Sequence, residues 1–176
     1  MKKTFILIFA ILPVTLYAQG TVVDTSFFSA SLNETRNVDI YLPPGYDPDG
    51  SAQYTLIYFL HGAGGDNNSY GQMIGILDSL IGNSVIDPVI VVKPDGSVAP
   101  YWGSFYSNSE LYGDFENYIV YDLVEFIDSN YKTIANRYKR CLIGHSMGGY
   151  GTAKLALLHP DIFCAMASHS GPLDYL

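Results

Sequence analysis

Residues 140–149 read Arg-Cys-Leu-Ile-Gly-His-Ser-Met-Gly-Gly, a short apolar strand that passes directly into a helix. The turn between them contains Gly-x-Ser-x-Gly, which is the strand-to-helix context typical of a serine nucleophile. Gly144 and Gly148 indicate a sharp turn, because side chains at these positions would collide where the strand meets the helix. Ser146 is therefore the candidate nucleophile, above a helix N-terminus that favours negative charge. The alternative is a chance Gly-x-Ser-x-Gly in a glycine-rich turn.

A second glycine-rich turn, with the sequence Leu-His-Gly-Ala-Gly-Gly at 60–65, follows another apolar strand. Acyl transfer needs backbone N–H groups aimed at the oxygen that becomes anionic. We expect these donors to be Ala63 in this turn, residues 60–65, which we call the oxyanion turn, and Met147 after the nucleophile. Gly62 and Gly64 would let the backbone approach a substrate. The alternative is an ordinary turn that binds phosphate or nothing. The Gly-x-x-x-x-Gly-Lys spacing of a nucleotide loop is lacking, which argues against phosphate.

Apolar runs alternate with helical patterns along the chain, which predicts a mostly parallel sheet with helices on both faces, an α/β fold. The expected strands that belong to this pattern are 54–60, 89–92, 140–144 and 162–168. The expected helices are 70–81, an apolar stripe over 115–127 with Asp114 as its N-cap, and 147–159. Strands 26–32 and 36–42 are separated by a polar turn, so an antiparallel hairpin is expected at one edge.

Several motifs occur in the same order as in one enzyme family. They are Tyr41-Leu42-Pro43-Pro44-Gly45-Tyr46, Leu60-His61-Gly62-Ala63-Gly64-Gly65, Pro94-Asp95-Gly96, Gly103-Ser104-Phe105-Tyr106 and Gly144-His145-Ser146-Met147-Gly148-Gly149-Tyr150-Gly151. On these motifs the chain resembles the esterase D family of α/β-hydrolases, over about residues 26–174. The family includes bacterial feruloyl esterases, S-formylglutathione hydrolases and mycolyltransferases. The resemblance implies an α/β-hydrolase fold, an acyl group carried on Ser146, and an oxyanion hole formed by the N–H groups of Ala63 and Met147.

The base and the acid of such a site are harder to find. In α/β-hydrolases the chain order is Ser, then Asp or Glu, then His. After Ser146 the acidic and imidazole side chains are Asp161, Asp174, His159 and His169. We expect His159 and Asp161 at a solvated helix end on the opposite side of the sheet, and Asp174 is followed by only two residues. The resemblance therefore implies that the last strands, the acid and the catalytic His are missing, and that this chain is C-terminally incomplete and inactive.

Four further side chains are expected near the nucleophile. His169 ends the last expected strand on the catalytic side, and Trp102 lies in a loop rich in Gly, Ser and Tyr. His61 and His145 flank the oxyanion turn and the nucleophile, so packing and hydrogen bonding are their expected roles. All four are candidates for lining the site.

The composition and the N-terminal residues limit the possible partners and location of the protein. Of 176 residues, 48% are hydrophobic and 15% charged, with a formal net charge of −8, which argues against disorder, nucleic-acid binding and adhesion to anionic membranes. Lys2 and Lys3 precede an apolar run of about ten residues and Ala18, the pattern of a signal peptide over 1–18. The run is too short for the alternative, a membrane anchor. We expect a secreted or periplasmic chain with an esterase domain at 19–176.

The leading hypothesis is a secreted serine esterase acting on feruloyl- or acetyl-type esters of small molecules or polysaccharides. The alternatives are an acyltransferase that uses a sugar as acceptor, and a non-catalytic carbohydrate-binding protein with a hydrolase fold. No cofactor or metal is predicted, because the acidic residues are dispersed and the histidines lack ligand spacing. Cys141 and Cys164 are expected on adjacent strands, where they could pair or could each be a small apolar residue.

Overall fold

The computed structural model describes residues 18–175, so the predicted signal peptide lies outside the described residues except for Ala18. The main sheet has six strands, which are β1 (Thr21–Ser29), β2 (Glu34–Leu42), β3 (Thr55–Leu60), β4 (Val89–Pro94), β7 (Arg140–His145) and β8 (Ala165–His169). A small hairpin contains β5 (Asn108–Ser109) and β6 (Gly113–Asp114). The α-helices are α1 (Met73–Gly82), α2 (Phe115–Asn117), α3 (Val124–Asn130) and α4 (Met147–Leu158). Single 3-10 turns lie at Arg137–Lys139 and Leu173–Tyr175.

The strand order is β1-β2-β4-β3-β7-β8. β1, β2 and β4 pair antiparallel, whereas β4, β3, β7 and β8 pair in parallel. The predicted α/β class and the antiparallel hairpin at one edge are both confirmed. Because the parallel strands run in one direction, β3 and β7 carry the oxyanion turn and Ser146 to the same end of the sheet.

Helices cover both faces of the sheet, as predicted. Alternate residues of β3 divide between two clusters, with Leu56, Tyr58 and Leu60 on one face and Ile57 and Phe59 on the other. The first face packs against the helical segment from α2 to α3 and against α4, and the second packs against α1. This double coverage explains why the strands are nearly continuous apolar runs rather than alternating ones.

Three predicted elements have wrong boundaries. β1 begins at Thr21 and ends at Ser29, earlier than the predicted 26–32, because Thr21–Ser29 pairs along its whole length with Glu34–Leu42. Helix α1 begins at Met73 rather than at residue 70, because Tyr70 adopts a positive φ of 63°, which no helix accepts. The predicted strand 162–168 is shorter and shifted, since it begins at Ala165 and ends at His169.

The apolar stripe over 115–127 is a helical segment with a π-helical turn at Tyr118–Leu123 between α2 and α3. Asp114 is the N-cap residue, but its side chain makes no capping hydrogen bond. Instead the Asn108 Oδ1 accepts hydrogen bonds from the N–H groups of Glu116 and Asn117, at 3.0 and 3.1 Å. The predicted cap is therefore corrected, and a side chain from the preceding hairpin satisfies this helix end.

β8 lies at the edge of the sheet as described, and its residues Ala165–Ala167 are exposed. Within residues 18–175, no helix is both long enough and apolar enough to cross a bilayer.

We predict opposite effects of alanine at two glycines on the stability of the fold. A Cβ at Gly148 would lie 2.0 Å from the Leu60 carbonyl oxygen, whereas a Cβ at Gly75 in α1 meets nothing within 4 Å. Gly148→Ala should lower the free energy of unfolding by roughly 3 kcal/mol, because backbone must move to admit the methyl group. Gly75→Ala should raise it by roughly 0.5–1 kcal/mol, because glycine loses more chain entropy in a helix. Urea denaturation of both variants measures the difference, and a Gly148→Ala protein as stable as wild type would contradict the packing described.

Candidate active site

Ser146 sits on a strained turn between β7 and α4. Its backbone has φ 54° and ψ −116°, outside the regions that L-residues ordinarily occupy. The two flanking glycines make this turn possible. A Cβ at Gly144 would lie 2.2 Å from the Gly148 carbonyl oxygen, and one at Gly148 would collide with the end of β3. The structure therefore gives the predicted sharp turn, with both glycines at positions where no side chain fits.

The start of α4 supplies backbone donors beside the nucleophile. The first helical hydrogen bond joins the Tyr150 N–H to the Ser146 carbonyl at 3.0 Å, so the N–H of Met147 precedes the helical ladder. The Ser146 N–H is already used, since it donates to the His169 carbonyl at 2.8 Å. The Met147 N–H is thus the first donor after the nucleophile that is left for a negatively charged oxygen.

The turn after β3 offers a second donor. The Gly65 N–H closes the turn on the Gly62 carbonyl at 3.1 Å, and the Gly64 N–H donates to the Trp102 carbonyl at 2.6 Å. The Ala63 N–H has no acceptor among residues 18–175. The neighbouring donors are therefore committed to the protein, and Ala63 is left open, as the sequence predicts for an oxyanion donor.

A surface cleft of about 380 Å³ joins these elements. Its walls come from the oxyanion turn, the nucleophile and a polar segment before α1; they comprise Gly62, Ala63, Gly64, Gly65, Ser69, Tyr70, Gln72, His145 and Ser146. Ser69, Tyr70 and Gln72 were not predicted from the sequence. They belong to no motif, and their only signal is their position between a glycine-rich turn and a helix.

His145 lines the cleft, as expected, and makes two ring contacts. Its Nδ1 is 2.7 Å from the Tyr70 hydroxyl, and its ring lies 5.2 Å from that of His169 between centroids. His169 is exposed beside it at the end of β8 and does not line the cleft itself. The structure thus places a row of three polar rings, Tyr70, His145 and His169, next to the nucleophile.

His61 does not line the cleft, which corrects one of the candidate assignments. It is only 2% exposed, because its ring packs against Tyr106 beneath the oxyanion turn. Its Nε2 accepts the Gly96 N–H at 2.9 Å, so the proton lies on Nδ1, which donates to the Gly62 carbonyl at 2.8 Å. Burial lowers the pKa of His61 below its usual value of 6.5, which favours this neutral form.

Trp102 is also corrected. Its side chain is 81% exposed and lies outside the residues that line the cleft. What this residue contributes is its backbone carbonyl, which holds Gly64. The next residue, Gly103, passes so close to the Met147 side chain that a Cβ there would lie 2.3 Å from its sulfur.

His159 is not at a solvated helix end as expected, although Asp161 is exposed. The His159 Nε2 lies 2.9 Å from one carboxylate oxygen of Glu116, and Lys154 binds the other at 2.6 Å. Burial alone would raise the pKa of Glu116, but these two hydrogen bonds outweigh it and lower the pKa. His159 is therefore part of a structural cluster that fastens α4 to α2.

The two cysteines are free thiols. Cys141 is half-buried and Cys164 exposed, and they are neighbours at the start of β7 and β8. Burial, followed by the nearby Cys164, raises the pKa of the Cys141 thiol.

A catalytic base is not in place around the nucleophile. Among residues 18–175, no side chain hydrogen bonds to the Ser146 hydroxyl, and Asp174 is exposed. The same residues contain no group of three or more His, Cys, Asp or Glu side chains that could hold a metal ion. The described site therefore combines a positioned hydroxyl with two backbone N–H groups that have no acceptor among residues 18–175, and acyl transfer requires donors of this kind to stabilise negative charge.

A family model described as "Putative esterase" matches residues 29–175. The chain belongs to this esterase family. An esterase of Mycobacterium tuberculosis is 31% identical over 147 residues, which is 83% of this chain and 31% of that protein. An endo-1,4-beta-xylanase/feruloyl esterase of Xylanibacter ruminicola is 30% identical over 151 residues, 82% of this chain and 20% of that protein. The chain thus spans less than a third of the length of each of these two relatives.

Solved structures place the fold in the same family. That of a ferulic acid esterase superposes with a TM-score of 0.80 at 26% identity, covering 87% of this esterase and 61% of that chain. The fold is therefore the predicted α/β-hydrolase fold, and the resemblance inferred from the motifs is confirmed.

We predict that His61 makes stability depend on pH in the mildly acidic range. The folded state has the lower pKa, so below pH 6.5 the unfolded state binds more protons and the free energy of unfolding falls as pH falls. This contribution is fully present above pH 6.5 and is lost as pH falls toward the folded pKa. His61→Gln should therefore lose less stability than wild type between pH 7 and 5.5, measured by urea denaturation at each pH. Above pH 7.5 the two profiles should run parallel; equal slopes across the acidic range would contradict the neutral, buried His61.

Proposed function

We propose that the esterase is an exported serine hydrolase whose domain, residues 19–176, cleaves carboxylic esters of the feruloyl or acetyl type on carbohydrates through an acyl-enzyme on Ser146. The observation that carries this proposal is the strained Ser146 in the wall of a cleft that Ala63 also lines. The N–H groups of Ala63 and of Met147, the residue after Ser146, have no acceptor among the described residues. Strain of this kind persists only where surrounding structure enforces it, and it concentrates at functional sites.

The chemistry follows from this arrangement. The Ser146 oxygen attacks the ester carbonyl carbon, and the carbonyl oxygen becomes anionic where the Ala63 and Met147 donors point. The bond from carbon to the alcohol oxygen then breaks, the alcohol leaves with a proton, and water later releases the acid from Ser146. A base must take the serine proton in the first step, and the proposal assigns it to none of the described residues.

The acyl and alcohol classes rest on the relatives. One curated relative is named as a xylanase and feruloyl esterase, and the solved relative is a ferulic acid esterase. Transfer of the acyl group to a sugar would use the same first half-reaction and differ only in the acceptor. The unpartnered Ser146 hydroxyl favours a second candidate, a carbohydrate-binding protein that performs no turnover.

We predict that the protein, in a form that contains the acid and the base that the family resemblance implies, releases ferulate from methyl ferulate and reacts with a fluorophosphonate at one serine, whereas residues 1–176 alone should show neither signal at a comparable rate. Ser146→Ala should reduce both signals at least 1000-fold, because the acyl group then has no attachment point. Ser51→Ala, at an exposed serine far from the cleft, is the matched control and should retain both. Free acid as the main product in the presence of a sugar acceptor excludes transfer. Glycan binding by calorimetry without turnover or labelling would reject the esterase in favour of the binding protein.

We also predict export with cleavage after Ala18. When the chain is expressed with its own leader in a bacterial host, the periplasmic or secreted product should begin at Gln19, since the charged start and apolar run are typical of a signal peptide. Intact mass spectrometry of the two fractions measures this. Replacing Phe5 and Leu7 by Asp interrupts the apolar run and should keep the chain inside the cell with its full mass. Equal distribution of both forms would contradict the proposed export.

A further inference from the structure

A buried ion pair lies in the sheet near the cleft. Asp39 on β2 and Lys93 on β4 are directly opposite each other in the antiparallel register, and each is 5% exposed. The Lys93 Nζ is 3.2 Å from the Asp39 Oδ2. Removing two charges from water is expensive, and apolar residues often replace such a pair at no loss of stability. The pair is therefore a poor source of stability in itself, and its other contacts indicate what it does.

Asp39 and Lys93 each make a further hydrogen bond to the same loop, residues 66–70. The Asp39 Oδ1 accepts from the Asn67 Nδ2 at 2.7 Å, and Asn67 is itself 3% exposed. The Lys93 Nζ donates to the Ser69 carbonyl at 3.1 Å. One charge thus holds a side chain of the segment 66–70 and the other holds its backbone. The segment is fixed at two points directly before Tyr70.

Tyr70 occupies a conformation that needs such anchoring. Its φ is 63°, which is strained for an aromatic residue, and its ring packs on Phe59 at 5.0 Å between centroids. Its hydroxyl reaches the His145 Nδ1 at 2.7 Å, and both side chains line the cleft beside Ser146. A contiguous series of contacts therefore leads from the ion pair through Asn67 and Ser69 to the wall of the cleft.

We propose that Asp39 and Lys93 are positioning residues that hold Tyr70 in the cleft wall, where Tyr70 contacts the bound ester and orients His145. The contact with the ester rests on the proposed function. The orientation of His145 does not, so the two parts can be tested separately.

The first experiment follows the ring nitrogens of His145 by long-range ¹H–¹⁵N NMR of histidine-labelled protein. Tyr70→Phe removes only the hydroxyl and identifies the His145 signal that depends on it. Asn67→Ala cuts one anchor while leaving the ion pair whole, and Asp39→Asn with Lys93→Met removes both charges without leaving one unpaired. Both should move the His145 Nδ1 signal in the same direction as Tyr70→Phe does.

The matched control is Arg140→Met, which breaks the partly buried Arg140–Asp128 pair at the opposite end of β7. It should lower thermal stability and leave the His145 signal at its wild-type position. Circular dichroism confirms that each variant is folded. A His145 signal unchanged in Asn67→Ala and in the double variant would overturn the proposal, as would an equal shift in Arg140→Met.

The second experiment measures hydrolysis of methyl ferulate. Asn67→Ala should raise KM roughly 3-fold or more with kcat changed less than about 2-fold, because a displaced Tyr70 weakens ground-state contact with the ester. Arg140→Met should change neither constant beyond about 2-fold. An unchanged KM in Asn67→Ala would overturn the role of Tyr70 in binding. If wild type in the form that contains the acid and the base turns over no ester, the proposed function fails, whereas the His145 spectra of residues 19–176 still decide whether the ion pair positions the wall.

Discussion

The approach of α4 to the end of β3 is the constraint on which the rest of the site depends. Gly148 lies so close to the Leu60 carbonyl that no Cβ fits between them, and Gly144 is packed as tightly beneath the first turn of α4. Because α4 packs this close to β3, the chain has to pass from β7 into α4 through the strained backbone of Ser146. This packing also brings the Met147 N–H to the same sheet end as the turn after β3. One steric requirement thus places Ser146 and the two proposed oxyanion donors at the same end of the sheet.

Two loops, the turn after β3 and the loop after β4, are then fixed relative to each other by hydrogen bonds to backbone groups. The Trp102 carbonyl holds the Gly64 N–H, and the Tyr106 hydroxyl donates to the His61 carbonyl at 3.1 Å. Tyr106 is fully buried in a space that exists because Gly96 and Gly151 present no side chain to its ring. Oxyanion stabilisation needs donors that do not reorganise as charge develops. Hydrogen bonds to the His61 and Gly62 carbonyls and from the Gly64 and Gly65 N–H groups hold the backbone on either side of Ala63, which is a direct way to meet that need.

The features that could be predicted from the sequence are local. The apolar runs identified the parallel strands, and Gly-x-Ser-x-Gly between a strand and a helix identified Ser146 and its place in the sheet. The features missed are contacts between residues far apart in the chain. Asn108 caps the helix that begins at Phe115, and Asp39 reaches Asn67 across 28 residues. His61 was expected near the cleft because it adjoins a glycine turn, but its burial depends on Tyr106, 45 residues away. No periodicity or motif encodes such pairings.

The site separates into two parts that differ in where their residues lie. The proposed charge stabilisation uses residues 60–65 and 144–148, which lie at the same end of the sheet and are held there by the buried contacts described above. Proton transfer needs a base and an acid, and the Ser146 hydroxyl has no hydrogen bond to either within residues 18–175. Serine hydrolases that lose a triad member retain binding and residual rate acceleration, because the oxyanion hole works without the base. The proposed binding of an ester, the orientation of His145 and the stability of the turn at Ser146 therefore depend on the described residues themselves, whereas the rate of turnover depends in addition on the source of the base.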